Sequence, residues 1–148
     1  ADFIGLNYYT HVLTSPFLPQ TTEIDLPSRK HETITEFGYP MYAEGLERAS
    51  KWLGKLNLPI EITENGVADG EDNLRPKHLK RHLWMIAKLI EQGIGIKSYY
   101  HWSLMDNFEW AEGYTMRFGL YHVDYETQIR TLRDSGKAYQ SIIKQHQN

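Results

Sequence analysis

Glu64 is the first candidate for chemistry, because it follows a short apolar segment at residues 60–63 and precedes an Asn-Gly pair. The segment predicts a buried strand with Glu64 at its carboxyl end. Barrels and doubly wound sheets bind their ligands at that end of the strands. A carboxylate there can attack an electrophilic carbon or act as a general base. An alternative stays open, since Glu64-Asn65-Gly66 is also typical of a simple turn.

A second cluster occupies residues 102–110, again after a predicted strand. It contains Trp102, Asp106, Asn107, Glu109 and Trp110, which are poor material for a core. Ligand pockets combine aromatic walls with a few placed polar groups. Sugars in particular offer C–H faces to aromatic rings and paired hydroxyl groups to carboxylates or amides. This composition therefore predicts a carbohydrate site.

Asn7, Tyr8 and Tyr9 form a third group of the same kind at the end of the first predicted strand. The three groups are also compatible with unrelated aromatic patches that pack under loops. Their common position, each at the carboxyl end of a strand, favours one shared pocket.

Histidines are the only other candidate ligands. His78 and His82 are four residues apart on a predicted helix, as in some metal sites, but no third ligand is evident, and a solvated helix face is the favoured interpretation. His101 is interpreted as a hydrogen-bonded strand residue. No metal or organic cofactor is predicted.

The composition excludes several classes of protein. The chain has 148 residues, a formal net charge of −3, and no cysteine. A broad nucleic-acid surface would need a basic excess, and no apolar run is long enough to cross a membrane. The lack of cysteine excludes disulfides and suits a reducing compartment such as the cytoplasm. The chain also opens inside a predicted strand and without Met, which suggests a piece of a longer protein.

The elements that would position these residues alternate along the chain. Three strands are predicted, at residues 3–9, 60–63 and 96–102. Three helices are predicted, at residues 41–56, from Pro76 to before Gly93, and at residues 135–146. The predicted buried face of the second helix is Leu79, Leu83, Ile86 and Ile90. A hairpin is predicted at residues 120–125 and 128–131. Alternation of this kind predicts an α/β fold with a parallel sheet. The long loops, at residues 10–40, 65–74 and 103–119, all follow strands, as in (β/α)8 TIM barrels. Three strands cannot close such a barrel, which needs eight.

At these residues the chain resembles glycoside hydrolase family 1, the retaining β-glycosidases. Residues 62–66 resemble the nucleophile motif of that family, and residues 102–110 and 116–120 resemble its sugar-binding signature. The resemblance implies a TIM barrel of which this chain supplies about the last three βα units. It also implies that an unphosphorylated β-D-glucoside or galactoside is hydrolysed with retention.

The resemblance assigns a role to each matching position. Glu64 would be the nucleophile, Tyr9 would hydrogen-bond its carboxylate, and Asn7 would help to shape the same subsite. The remaining four residues would contact the sugar: Trp102 as a platform, Glu109 through two hydroxyl groups, Trp110 through its indole N–H, and Phe118 at the mouth of the pocket.

Two departures from the family bear on function. The family is roughly three times longer, and its acid/base motif, Asn-Glu-Pro, is absent from this chain. The acid would have to come from N-terminal barrel sequence, and the chain alone is expected to be inactive or very weak. Glu61 is also unusual for its position, and regular strand alternation predicts that it faces the helix layer, opposite to Glu64. An alternative function is a non-catalytic sugar-binding or scaffold fragment that docks an N-terminal piece.

Overall fold

The computed structural model describes residues 1–12 and 31–146. Most of the long loop predicted for residues 10–40 therefore lies outside the described residues. Within the described part, three strands form a parallel sheet in the order β1-β2-β3. These strands are β1 (Ile4–Asn7), β2 (Ile60–Gly66) and β3 (Ile96–Trp102). Parallel strands bring their carboxyl ends to one edge of the sheet, which is the edge predicted to carry the site.

Helices connect the strands and cover one face of the sheet. Helix α1 spans Ala43–Leu53 and continues as a 3₁₀ turn over Gly54–Leu56, and helix α2 spans Arg75–Glu91. The core lies between these helices and the sheet. It consists of Tyr8, Leu46, Ile60, Ile62, Met85, Ile86, Leu89 and Ile96. Burial of these apolar side chains fixes α1 and α2 against β2, as expected for βα units.

The C-terminal part is a hairpin followed by a helix. Strands β4 (Tyr121–Val123) and β5 (Arg130–Leu132) pair antiparallel, and α3 spans Asp134–His146. The predicted hairpin and final helix are confirmed, with bounds shifted by at most two residues. No helix in the described part of the chain is long and apolar enough to span a membrane.

Helix α2 begins at a carboxylate. Asp69 accepts hydrogen bonds from the N–H groups of Asn73, Leu74 and Arg75, at 3.2, 2.7 and 2.8 Å. Free N–H groups at a helix start favour an anionic partner. Pro76 lies in the first turn, where its missing N–H breaks no bond. The loop after β2 therefore ends in a fixed geometry.

Two predictions for α2 are wrong. His78 and His82 are not on a solvated face, since each is about 1% exposed and their rings stack with centroids 3.9 Å apart. Ile90, predicted to be buried, is 50% exposed. The heptad-like apolar pattern misplaced the buried stripe, because the histidines form part of it beside Leu79 and Leu89. Charge-neutral imidazoles can be buried where lysine or arginine would be costly.

The prediction for Glu61 is also wrong. Ile60 and Ile62 are fully buried in the core against the helices. Side chains alternate along a strand, so Glu61 lies on the opposite, open face of the sheet. The prediction assumed unbroken alternation from Glu61 to Glu64. The strand itself is continuous, but its pairing register with β3 shifts between Ile62 and Asn65.

Candidate active site at the carboxyl edge of the sheet

A cavity of about 280 Å³ lies at the carboxyl edge of the sheet. Its walls come from all three strands and from the loops that follow them. It is lined by Tyr9, Phe37, Tyr39, Glu64, Trp102, Glu109, Trp110 and Phe118. Each of the three groups predicted to share one pocket thus contributes to the lining. The prediction is wrong for Tyr8, which packs in the core, and for Asp106 and Asn107, which do not line the cavity.

A bulge in β2 aims Glu64 into this cavity. Ile62 pairs with Tyr99 and Asn65 pairs with His101, so β2 has one more residue than β3 in this stretch. Ile62 and Asn65 both face the helix layer, and the two residues between them, Thr63 and Glu64, face the other side. Regular alternation would have turned Glu64 toward the helices. A bulge re-aims a side chain in this way.

Asn65 holds the bulge from behind. Its side chain is fully buried, donates to the carbonyl oxygen of Tyr8 at 2.7 Å, and accepts from the Tyr99 hydroxyl at 2.9 Å. Gly66 is required beside it, because a Cβ there would collide with the carbonyl oxygen of Trp102. Residues 64–66 belong to the strand, so the interpretation of this segment as a simple turn is wrong.

The Glu64 carboxylate accepts a hydrogen bond from Tyr9, which lies two residues after the end of β1. The Tyr9 hydroxyl donates to Glu64 Oε2 at 2.7 Å. Burial and the neighbouring carboxylate raise the pKa of Tyr9 well above that of a free phenol. The hydroxyl is therefore protonated and always available as a donor. Such a donor fixes the orientation of the Glu64 carboxylate and leaves Oε1 pointing away from this hydrogen bond.

The opposite wall is formed by the loop after β3. The Trp102 indole N–H donates to Glu109 Oε2 at 3.4 Å, which is a long hydrogen bond. Trp110 follows in a short 3₁₀ turn and is 82% exposed. The indole ring of Trp110 is thus free to contact a ligand, whereas Phe118 is almost fully buried at 4% exposure.

Among the residues given a role by the family resemblance, Asn7 is the one that does not line the cavity. It pairs with Glu64 across β1 and β2, and its Oδ1 accepts from the Thr63 hydroxyl at 2.6 Å. Its position is therefore adjacent to the site, where it holds the residue before Glu64.

Two cavity residues were missed by the sequence reasoning. Phe37 and Tyr39 stack at 4.6 Å, and Phe37 also packs against Phe118 at 6.0 Å. Both lie in the segment 31–40, which was read only as part of a long loop. Its aromatic residues on either side of Gly38 were the available signal.

Metal binding has no support in this geometry. Among residues 1–12 and 31–146, no group of three or more histidine, aspartate or glutamate side chains is placed to hold a metal ion. Burial and the adjacent ring of His82 keep the pKa of His78 well below its usual value, so this stacked pair is a neutral part of the core.

The strand order, the parallel pairing and the cavity at the strand tips define consecutive βα units of a (β/α)8 barrel. Comparison with solved structures confirms this class. The β-glucosidase of Pyrococcus furiosus aligns with a TM-score of 0.88 and 39% identity, over 97% of this chain and 33% of that one. The predicted fold, about three βα units of a TIM barrel, is confirmed.

The family follows from the sequence comparisons. The model of Glycosyl hydrolase family 1 matches residues 1–148, and the chain belongs to that family. A β-glucosidase of Agrobacterium sp. is 40% identical over 95% of this chain, and a β-galactosidase of Sulfolobus acidocaldarius is 35% identical over 97%. The alignments cover 34% and 31% of those proteins. The chain thus spans about a third of the length of the curated relatives that it matches.

Proposed function

We propose that this chain is the C-terminal third of a retaining β-glycosidase and that Glu64 is its nucleophile. One observation carries the proposal: a carboxylate aimed by a strand bulge into an aromatic cavity, with a protonated phenol at 2.7 Å. A carboxylate with one fixed hydrogen bond keeps its other oxygen for attack. That arrangement suits covalent catalysis better than simple sugar binding.

The proposed reaction has two displacements. Glu64 attacks the anomeric carbon while a carboxylic acid protonates the leaving glycosidic oxygen, and a covalent glycosyl-enzyme forms. Water, deprotonated by the same second carboxyl group, then releases the sugar with retained configuration. The second group must lie about 5–5.5 Å from Glu64. It would come from N-terminal barrel sequence, so the chain alone should turn over ordinary glycosides very slowly.

The sugar would be held by the wall opposite Glu64. Glu109 would accept hydrogen bonds from two sugar hydroxyl groups, Trp102 would lie under the ring, and Trp110 would donate through its indole N–H. Phe118, predicted at the mouth of the pocket, is too buried for that place and would instead form part of the cavity wall. Asn7 would steady β2 beside the nucleophile. The cavity, about 280 Å³, is slightly smaller than typical ligand pockets of about 300–1,000 Å³, which suits one sugar ring.

The charge of Glu109 bears on the substrate. A 6-phosphorylated sugar would bring a second anion close to this carboxylate, and like charges repel strongly at short range. An unphosphorylated β-D-glucoside or galactoside is therefore the proposed substrate, as the names of the relatives suggest. No cofactor is needed for this chemistry, and the absence of cysteine suits a cytoplasmic location.

Covalent labelling tests the proposal. The whole protein that carries this chain is incubated with a 2-fluoro-glycoside that has a good leaving group, which needs little acid assistance. Peptide mass spectrometry should place the label on Glu64. A protein that binds the glycoside but is never labelled would support the alternative, a non-catalytic sugar-binding or scaffold fragment. Glu61→Gln is the matched control, and it should be labelled like the wild type.

A further inference from the structure

Asp106 lies fully buried beneath the loop that connects β3 to β4. Its Oδ1 accepts from the N–H of Gly119 and from the Arg133 guanidinium, both at 2.9 Å. Its Oδ2 accepts from the N–H of Val123 at 3.2 Å and from Arg117 at 3.3 Å. Both oxygens of this carboxylate are thus used inside the protein, and none of its bonds goes to the cavity.

The ionised form of Asp106 is the stable one. Burial alone would raise its pKa, but the hydrogen bonds from Arg133 and from the Gly119 N–H outweigh burial and hold the pKa below its usual value. Removing one member of a buried ion pair leaves an uncompensated charge, which is far more disruptive than losing a surface pair. This carboxylate and Arg133 therefore act as a unit.

Arg133 extends the unit to the loop that follows β2. Its guanidinium donates to the carbonyl oxygen of Gly119 at 2.8 Å and to that of Gly70 at 3.3 Å. Gly119 is thus clamped at both its N–H and its carbonyl. It also has no room for a side chain, since a Cβ would collide with the backbone nitrogen of Asp106. The ion pair therefore fixes the two peptide groups on either side of the Gly119 Cα, and Arg133 ties them to the loop that follows β2.

The residue before this clamped glycine is Phe118. Its carbonyl accepts from the N–H of Ser103 at 3.1 Å. This carbonyl and the Gly119 N–H belong to one peptide group, which is therefore held at both its oxygen and its nitrogen. Its ring meets the ring of Tyr9 edge to face, with centroids 6.2 Å apart. The Tyr9 hydroxyl in turn donates to Glu64. A continuous path of contacts therefore runs from the ion pair to the carboxylate proposed as nucleophile.

We propose that the Asp106–Arg133 ion pair is a positioning device for the nucleophile: it fixes Phe118, and the Phe118 ring holds Tyr9 in hydrogen-bonding register with Glu64. This inference rests on the proposed function of Glu64. Phe118 is then a positioning residue as well as a wall of the cavity. When the ion pair is broken, the Phe118 ring shifts, the Tyr9 hydroxyl leaves its optimal direction, and the glycosylation step slows.

A double-mutant cycle tests this in the whole protein. The rate of covalent labelling by the 2-fluoro-glycoside is measured for wild type, Asp106→Asn, Tyr9→Phe and the double variant. If Asp106 acts through Tyr9, each single variant slows labelling by about tenfold, and the double variant is no slower than the slower single one. Interacting residues show this non-additivity. Rates that multiply to about a hundredfold loss would overturn the proposal.

Controls separate positioning from loss of fold. All assays are run well below the midpoint of thermal unfolding measured for each variant. If Asp106→Asn does not fold, Phe118→Leu replaces it in the cycle, with the same expected non-additivity and the same overturning result. Asp134→Asn is the matched control, because that aspartate side chain is 86% exposed and should leave the rate within twofold. Wild type without any label on Glu64 would overturn the proposed function and this inference together, whereas label with multiplicative rates would overturn this inference alone.

Discussion

Two walls of the candidate site, the tip of β2 and the loop that follows β3, are held by different interactions. The tip of β2, which carries Glu64, is fixed by neutral hydrogen bonds from the fully buried Asn65 and by strand pairing on both sides. The loop at residues 103–119 has no long strand or helix of its own, and buried charges fix it instead, with Asp106 at their centre. A strand thus carries the proposed nucleophile, and an ionic cluster fixes the loop that carries both the residues proposed to bind the sugar and Phe118, which contacts Tyr9.

This difference predicts how each wall responds to substitution. Hydrogen bonds to β1 and β3 repeat along β2, so many bonds hold the strand that carries Glu64. Each of these bonds contributes modestly to stability. The loop depends on a few charged contacts in a low dielectric, and each of them is costly to break. Changes at Glu64 and its neighbours on the strand side should therefore act mainly on the chemical step. Changes at the residues proposed to bind the sugar should act mainly on affinity for the sugar, whereas the Asp106–Arg133 ion pair should act on the chemical step through Phe118 and Tyr9.

The largest effect is expected for Glu64→Gln in the whole protein. The amide keeps the shape of the side chain but removes the nucleophile, so kcat should fall by about four orders of magnitude or more. Glu61→Gln, three residues earlier on the open face of the same strand, should change kcat by less than about tenfold. Steady-state kinetics with an aryl glycoside gives both values. Unchanged turnover by Glu64→Gln would show that Glu64 is not the nucleophile and that β2 does not carry the reacting group.

Glu109→Gln should produce the next largest effect, on the loop side. Hydrogen bonds to a charged group contribute about 1.5–3 kcal/mol each, and the proposed carboxylate makes two of them to the sugar. We therefore expect kcat/KM to fall by about 10² to 10³, with a clear rise in KM. Glu112→Gln, on the same loop but outside the residues that line the cavity, should stay within twofold. Equal losses for the two variants would show that the loop responds only to its net charge.

The sequence predicted one wall better than the other. Alternating strands and helices, together with Glu64 at a strand end, were enough to predict the sheet, its carboxyl edge and the place of Glu64 at that edge. They were not enough to predict the bulge in β2, because an extra residue in one strand shows only when its pairing with β3 is known. Glu61 was consequently assigned to the wrong face.

For the loop after β3, the sequence predicted the residues that line the cavity but not the contacts that hold the loop in place. The residue types and the family resemblance predicted Trp102, Glu109 and Trp110 as site residues, and all three line the cavity. The ion pair beneath them joins Asp106 to Arg133, which are 27 residues apart. No local pattern reports such a contact. Phe37 and Tyr39 were missed for the same reason, since their place in the cavity depends on long-range packing.

The strand side can be weakened from behind by Asn65→Ala. This change leaves the Tyr99 hydroxyl and the Tyr8 carbonyl without the partner that each has now, and unsatisfied buried groups are costly. The free energy of unfolding should fall by about 2–4 kcal/mol, as measured by urea denaturation. Asn73→Ala, at an exposed position where only the backbone N–H is hydrogen-bonded, should change it by less than about 0.5 kcal/mol. A loss no larger than this control would mean that the bulge does not depend on Asn65.

The smallest effect is expected from acid, and it should reach the strand side first. His82 packs behind that side with its ring 6.2 Å from the ring of Tyr8. Burial is the main cause that lowers the pKa of His82 to about 4, and Arg81 adds to it, while a hydrogen bond to the His78 carbonyl and the charge of Glu44 oppose it. Between pH 6.5 and about 4 the unfolded chain therefore binds a proton that the folded protein rejects. Stability is complete above pH 6.5 and falls as the pH drops through this window.

At pH 5 this single histidine should lower the free energy of unfolding by roughly 2 kcal/mol relative to pH 7. His82→Gln keeps a donor for the His78 carbonyl but cannot titrate, so its stability should depend less on pH by about that amount. Urea denaturation at pH 7 and pH 5 measures the difference. The Asp106 cluster should not contribute in this range, because the pKa of that carboxyl lies below its usual value. If the free energy of unfolding depended on pH identically in His82→Gln and wild type, protonation of His82 would not be the cause of the acid sensitivity. Low pH would then not weaken the strand side before the loop side.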